Sequence, residues 1–176
     1  MIPGYELATI DPHVAREARG EIEDFHHLYC DTLDSGAIER WPEFFVDDCF
    51  YEVIARENVE AGMPVGLIYC EGRAMVRDRA YAVKHTQMFA PRYLQHFVTN
   101  VMVRSIRSIR SHAAMDEIKA QSNYLLLQTL VESPTTILQA GRYYDTFERN
   151  QGRLLLKERR CVYDTSLIAN DLVFPI

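Results

Sequence analysis

The sequence predicts an α+β fold in which helices come first and a large, curved antiparallel sheet follows. Three helical patterns and one strand pattern occupy most of residues 1–90, and the rest of the chain reads as four long strands in a meander. Helices that segregate to one end of an antiparallel sheet are typical of the α+β class. Strands of a dozen residues or more exceed the usual length, so we expect the sheet to curl into a half-open cone whose mouth the helices close.

The first helix is predicted to begin at Pro12, with Asp11 as its N-cap. Proline suits the first helical position, and an aspartate side chain accepts hydrogen bonds from the free N–H groups of the first turn. Apolar residues at steps of three and four define one face: Val14, Ala18, Ile22, Phe25, Tyr29 and Leu33. Such spacing indicates an amphipathic helix packed on a core. Residues 34–36 end it, and a short second helix at 37–45 contains Pro42 as a break.

The later elements follow from apolar runs between glycine and proline signals. They are a strand at 47–57, a loop at 58–66, a short apolar stretch at 67–71, a helix at 72–89 and four strands at 93–107, 119–133, 135–149 and 153–165. Residues 150–152 form a hairpin turn. Gly141 lies inside the third of the four long strands, and we expect the sheet to bend there.

The composition is that of one globular domain, expected to span residues 1–176, and it is 48% hydrophobic with a formal net charge of −6. An acidic chain is poorly suited to nucleic acid, because phosphate binding needs clustered Lys and Arg. The longest apolar runs are far short of the roughly 20 residues that cross a bilayer. The cysteines at 30, 49, 70 and 161 form no C-x-x-C pair, so we expect reduced thiols in a cytoplasmic protein.

Motifs for metal or cofactor chemistry are missing. The histidines are scattered, and the adjacent His26 and His27 diverge by about 100° on a helix, so they cannot bind one ion together. We find no Rieske spacing, no dinucleotide-binding glycine motif, no phosphate loop and no nucleophile elbow. The residues alone therefore offer no local motif for a metal or cofactor site.

A pocket inside the cone is the alternative source of chemistry. In cone-shaped isomerases and dehydratases a Tyr, an Asp and often a His converge in the cavity, where they act as base and oxyanion hole. The candidates here are Tyr29, Asp34, His96 and Asp145, although their spacing does not compel the choice. The residues leave open a stand-alone isomerase or dehydratase, and also a module that binds a small ligand or oligomerises without catalysis.

Two further features point towards contacts. The run Arg77–Arg79 lies on the third helix and is either a solvated face or a salt-bridge cluster that faces a partner. The segment LVFPI at 172–176 is apolar, whereas a free tail is usually polar and disordered. We therefore expect this segment to be tied down.

Four stretches resemble the small (β) subunit of bacterial aromatic-ring-hydroxylating oxygenases, the Rieske non-haem iron family. They are DSGAIERWPEFFVDDCFYEV (34–53), GLIYCEGRAMVRDRAYAV (66–83), YLQHFVTN (93–100) and LLLKERRCVYDTSLIANDLVFPI (154–176). The likeness covers residues 20–176, and its more specific parts are the R-D-R helix and the R-x-C-V-Y-D-T strand. It is most similar to small subunits for carboxylated single rings, such as those of salicylate 5-hydroxylase and terephthalate dioxygenase.

The resemblance implies a cone-shaped fold of the NTF2-like (cystatin-like) type and a non-catalytic, structural role in an α3β3 oxygenase of aromatic catabolism. It implies that β subunits form a trimer, that the partner α subunit carries the Rieske 2Fe–2S cluster and the mononuclear iron, and that a reductase or ferredoxin delivers electrons to α. This chain is then expected to hold no cofactor. The interface candidates are Arg77, Asp78, Arg79, Leu172, Val173, Phe174, Pro175 and Ile176.

Overall fold

A computed structural model describes residues 2–86, 89–109, 115–150, 152–168 and 172–176. Within these ranges the elements are helix α1 (Pro12–Asp34), 3₁₀ helix η1 (Ile38–Phe44), strand β1 (Phe45–Ala55), helix α2 (Arg56–Glu60), strand β2 (Gly66–Glu71), helix α3 (Gly72–Thr86) and strands β3 (Arg92–Ile109), β4 (Met115–Leu130), β5 (Thr136–Asn150) and β6 (Arg153–Tyr163). The strands form one curved, unclosed sheet in the order β2-β1-β6-β5-β4-β3. The predicted α+β class is confirmed.

The sheet differs from the prediction in one pairing. Strands β3 to β6 form the predicted antiparallel meander, but β1 runs parallel to β6 while it pairs antiparallel with β2. Antiparallel neighbours are commonly fixed by a short hairpin, and β1 and β6 are separated by most of the chain, so no hairpin sets their relative direction. A second difference is α2, a single short helix within the predicted loop.

The irregular positions of the sheet lie at bulges rather than at Gly141. Gly141 itself pairs regularly on both sides. Register shifts occur instead within Phe45–Phe50, Val53–Ile54, Thr99–Met102, Val103–Ser105, Leu126–Leu127 and Thr146–Phe147. Gly141 is therefore not a bulge, and the predicted bend of the sheet at this position stays a prediction. The glycine is needed for space, because a Cβ atom there would lie 2.2 Å from the main-chain oxygen of Val162.

Helix α1 packs against β3 and begins as predicted. Asp11 Oδ1 accepts hydrogen bonds from the main-chain N–H groups of His13 and Val14, at 2.9 and 3.2 Å. The predicted apolar face is confirmed except at Val14, which is 44% exposed. Its buried members are Ala18, Ile22, Phe25, Tyr29 and Leu33. This face fixes the side of the sheet, called the inner face below, on which the main core lies.

The opposite side of the sheet, called the outer face below, carries a smaller apolar cluster. Successive side chains of a strand point to opposite faces of the sheet, so neighbouring residues can belong to different clusters. Tyr143 belongs to the main core and Tyr144 to the smaller cluster. Ile2 and Tyr5 are buried in the smaller cluster, so the N-terminal segment covers part of the outer face.

Candidate functional site

The inner face carries a buried arginine. Arg159 on β6 is fully buried, and its Nε and Nη2 atoms donate hydrogen bonds to the two carboxylate oxygens of Asp145 on β5, both at 2.8 Å. Its guanidinium carbon lies 4.3 Å from the ring centroid of Tyr29 and 4.2 Å from that of Tyr143. A bidentate ion pair held between two aromatic faces is fixed in both position and orientation. We call these four residues the Arg159 cluster.

The charges of this cluster depend on one another. Burial raises the pKa of Asp145, and the charge and hydrogen bonds of Arg159 oppose that shift. Burial alone would lower the pKa of Arg159, but the charge and hydrogen bonds of Asp145, together with Tyr29 and Tyr143, raise it above its ordinary value. Since removal of either partner leaves the other charge alone in the core, the pair acts as a unit.

His26 on α1 extends the cluster. Its Nδ1 atom lies 3.2 Å from Arg159 Nη2, and since a guanidinium only donates, Nδ1 must accept. The ring proton therefore sits on Nε2, which lies 3.5 Å from Ser122 Oγ. Burial, followed by the Arg159 charge, lowers the pKa of His26 well below its ordinary value of 6.5, so the ring is neutral. His27 is exposed, and the adjacent histidines diverge as predicted.

The apolar segment 172–176 is tied down, as expected, and Ile176 is held by its own chain. Ile176 is fully buried, and its main-chain N–H donates to Tyr51 Oη at 2.9 Å. Its main-chain oxygen accepts hydrogen bonds from Tyr29 Oη at 3.0 Å and Tyr51 Oη at 3.3 Å. The structure thus supplies a reason within the chain for the apolar character of Pro175 and Ile176, both of which are buried. Contact of this segment with a neighbouring subunit stays a prediction.

The R-D-R run divides between two roles. Arg79 Nη2 donates to the main-chain oxygens of Leu172 and Val173, at 3.2 and 2.8 Å, so Arg79 fastens segment 172–176 to α3. Arg77 and Asp78 are exposed and form no ion pair with the described residues. Their availability to a partner subunit also stays a prediction.

The residues nominated for an isomerase-like pocket fall into two separate sets of contacts. Tyr29 and Asp145 belong to the Arg159 cluster, whereas Asp34 Oδ1 lies 2.6 Å from His96 Nδ1 and Asp34 Oδ2 accepts from the His96 main-chain N–H at 3.0 Å. Tyr29 Oη accepts from Trp41 Nε1 at 2.8 Å while it donates to Ile176. Burial also raises the pKa of Tyr29, so its hydroxyl stays protonated. Two buried atoms, His96 Nε2 and Tyr143 Oη, have no hydrogen-bond partner among the described residues, and they belong to different sets of contacts.

The described residues also lack the ligand sets of redox metals. No group of three or more His, Cys, Asp or Glu side chains in the described part of the chain could hold a metal ion. Rieske clusters and mononuclear iron sites need such sets, so the residues present do not fit either group. All four cysteines are free thiols, and burial raises the pKa of Cys30 to about 12 and of Cys49 to about 11, so both stay protonated. None of the described helices has the length and apolar character of a membrane span.

Sequence reasoning missed the role of Arg159. The basic run 157–160 divides between the two faces of β6: Arg159 points inwards, whereas Arg160 is partly exposed and pairs with Glu158. Asp145 lies directly opposite Arg159 across the β5–β6 hairpin only because of a register shift at Thr146–Phe147, for which the sequence carries no signal.

With this geometry in hand, comparison with known proteins decides the family. Residues 30–170 match the model of the family described as "Ring hydroxylating beta subunit". The chain belongs to this family. It is 35% identical over 156 residues to the anthranilate 1,2-dioxygenase small subunit of Burkholderia cepacia, covering 89% of this chain and 92% of that protein. It is 28% identical to a terephthalate 1,2-dioxygenase terminal oxygenase β subunit of Comamonas sp, covering 89% and 97%.

A solved structure agrees with this assignment. The β subunit of a proposed aromatic-ring-hydroxylating dioxygenase of Novosphingobium aromaticivorans superposes with a TM-score of 0.81 at 37% identity, covering 93% of this chain and 99% of that one. The family resemblance and the cone-shaped fold are both confirmed.

Proposed function

We propose that this chain is the non-catalytic β subunit of a cytoplasmic, multicomponent aromatic-ring-hydroxylating oxygenase of α3β3 composition. Family membership supports the assembly, and the Arg159 cluster is the observation that carries the non-catalytic role. Three of the groups nominated for a pocket, Tyr29, Asp34 and Asp145, are bonded to other residues of this chain. The chemistry then belongs to the partner α subunit, with its Rieske 2Fe–2S cluster and mononuclear iron supplied with electrons by a reductase or ferredoxin.

We further propose a carboxylated, single-ring aromatic substrate for the assembled enzyme. The two curated relatives named above are subunits of enzymes for anthranilate and terephthalate, and both compounds are benzene rings that carry carboxylate groups. Each match covers 89% of this chain, so it does not rest on one shared motif.

Two surfaces are proposed to contact neighbouring subunits. One is the exposed pair Arg77 and Asp78 on α3, and the other is the half-buried stretch Leu172–Phe174, which Arg79 holds beside that helix. Charged side chains without an internal partner next to partly exposed apolar residues are typical of an interface rim and core.

Co-expression of this chain with the large-subunit gene beside its own tests the proposal. We expect a complex of six subunits with about three irons per αβ pair, the sum of a two-iron cluster and one mononuclear iron. The chain expressed alone should contain no iron and should not turn over an aromatic acid. Failure to co-purify with the large subunit, or turnover by the lone chain, would contradict the proposal.

Interface variants refine that experiment. Arg77→Ala should weaken the complex while the unfolding free energy of the lone chain stays unchanged, because Arg77 has no described partner within its own chain. Arg79→Ala and deletion of Leu172–Ile176 should each weaken the complex and also lower the unfolding free energy of the lone chain. The reason is that Arg79 and the segment bond to each other. Arg40→Ala, which removes an exposed arginine from η1, is the charge-matched control. An unaltered complex in all three variants would exclude these surfaces from the interface.

A further inference from the structure

The outer face holds a cavity of about 390 Å³ that plays no part in the Arg159 cluster. Its apolar lining includes Ile2, Val59 and Val162, which belong to or pack against the smaller apolar cluster, together with the ring of Tyr144. The other six lining residues are charged or polar: Arg56, Glu60, Arg104, Gln121, Arg142 and Asp164. Pockets of this size accommodate small organic molecules, whose orientation the polar groups fix.

Three arginines line this cavity, and they differ in the hydrogen bonds and ion pairs that they form. Arg56 Nη2 pairs with Asp164 Oδ1 at 2.6 Å, and Arg104 Nη2 donates to Gln121 Oε1 at 2.6 Å. Arg142 makes no ion pair or hydrogen bond with the described residues, although it lines both this cavity and a neighbouring cleft. The Nε atom of Arg104 is buried, and it too has no hydrogen-bond partner among them.

The charge balance of the lining favours an anion. Arg56, Arg104 and Arg142 face two carboxylates, those of Glu60 and Asp164, so the lining carries one net positive charge. This stands out on a chain whose formal net charge is −6. Since Asp164 is already paired with Arg56, the unneutralised positive charge is centred on Arg142 and Arg104.

We propose that this cavity binds a small organic acid in which one carboxylate is attached to an apolar group. The carboxylate would pair with Arg142, since a guanidinium offers parallel N–H donors that match both carboxylate oxygens. The apolar group would lie against Val162 and Tyr144, which form the sheet side of the cavity. The inference is independent of the proposed function, because it needs neither a partner subunit nor an iron centre.

Titration of the full-length chain with benzoate, the simplest aromatic monocarboxylate, tests the inference by amide-shift NMR. We expect saturable binding with shifts clustered around Arg142, Tyr144 and Val162. Benzamide, which keeps the ring but lacks the charge, and inorganic phosphate, which lacks the ring, should each bind at least about tenfold more weakly.

Variants locate the binding. Arg142→Gln should weaken benzoate binding at least about tenfold, and Arg142→Lys should weaken it less, because lysine keeps the charge but not the bidentate geometry. Arg40→Gln removes an equal charge from η1 and should leave binding unchanged. Equal binding of benzoate and benzamide, equal loss in Arg40→Gln, or no saturable binding would each overturn the inference. Loss of binding in the assembled complex would also overturn it, since a partner would then cover the cavity.

Discussion

Two arginines on opposite faces of one sheet show how the same side chain serves different purposes. Arg159 is fully buried, bonded twice to Asp145 and held between two tyrosine rings, with only its Nη1 atom lacking a hydrogen-bond partner among the described residues. Arg142, on the adjacent strand β5, faces a cavity and bonds to none of the described residues. A guanidinium satisfied by its own chain stabilises the fold, whereas one left unpaired at a cavity is free to bind. We therefore expect the inner face to be structural and a ligand to bind on the outer face.

The largest effect is expected when only one partner of the Arg159–Asp145 ion pair is replaced. Arg159→Met should lower the unfolding free energy by about 3–5 kcal/mol, because Asp145 remains buried without its partner. The double variant Arg159→Met with Asp145→Leu should recover most of this loss, since no charge is then left in the core. Urea denaturation of the full-length chain measures both. Equal destabilisation of the single and double variants would show that packing, and not the ion pair, holds this region.

A smaller effect is expected where segment 172–176 meets the inner core. Tyr51→Phe removes the hydroxyl that both accepts from and donates to the main chain of Ile176, and should cost about 1–3 kcal/mol of unfolding free energy. Tyr69→Phe makes the same chemical change at a half-exposed tyrosine on β2 and should leave the unfolding free energy unchanged. If the two variants behaved alike in urea, the hydrogen bonds to Ile176 would carry no stability.

The neutral His26 makes the inner face sensitive to pH. Its pKa is lowered in the folded chain, so between that value and 6.5 the unfolded chain binds one more proton. The unfolding free energy should therefore fall as the pH drops below 6.5, by up to about 1.4 kcal/mol for each pH unit. His26→Gln should flatten this dependence between pH 6.5 and 5, whereas His27→Gln, at the exposed neighbour, should not. Urea denaturation at several pH values between 6.5 and 5 measures this dependence. If His26→Gln left the slope of unfolding free energy against pH unchanged, the proton taken up on unfolding would belong to another residue.

The smallest effect belongs to the outer face. Arg142→Gln should change the unfolding free energy by less than about 0.5 kcal/mol, because the side chain has no described bond to lose. Urea denaturation of Arg142→Gln and Arg159→Met under the same conditions compares the contributions of the two arginines to the unfolding free energy. A loss of several kcal/mol would mean that Arg142 supports the fold and is not held free for a ligand.

Much of the fold could be predicted because it follows from local periodicity. The N-cap Asp11, the buried face of α1 and the four-strand meander all depend on residues close together in the sequence. The parallel pairing of β1 with β6 could not be predicted, since it joins segments about a hundred residues apart and no turn between them fixes their direction.

The Arg159 cluster was hidden by one bulge. Counted back from the turn at Asn150 and Arg153, a regular hairpin would place Asp145 opposite Glu158, a pairing of like charges. The register shift at Thr146–Phe147 moves the partner by one residue and brings Arg159 opposite Asp145 instead. Such a shift moves the cross-strand partner of every residue beyond the bulge by one position. The local sequence does not reveal it.

The most direct test of the central claim, that the interior of this chain is structural and not catalytic, is the activity of an assembled oxygenase built with the double variant Arg159→Met and Asp145→Leu. Turnover of an aromatic carboxylic acid is measured beside the wild-type complex, with subunit composition and iron content matched. We expect kcat to stay within about twofold of the wild type, because both residues are buried within this chain and bond to each other. A loss of about a hundredfold or more in a fully assembled, iron-loaded complex would contradict the account and place a catalytic group inside the cone.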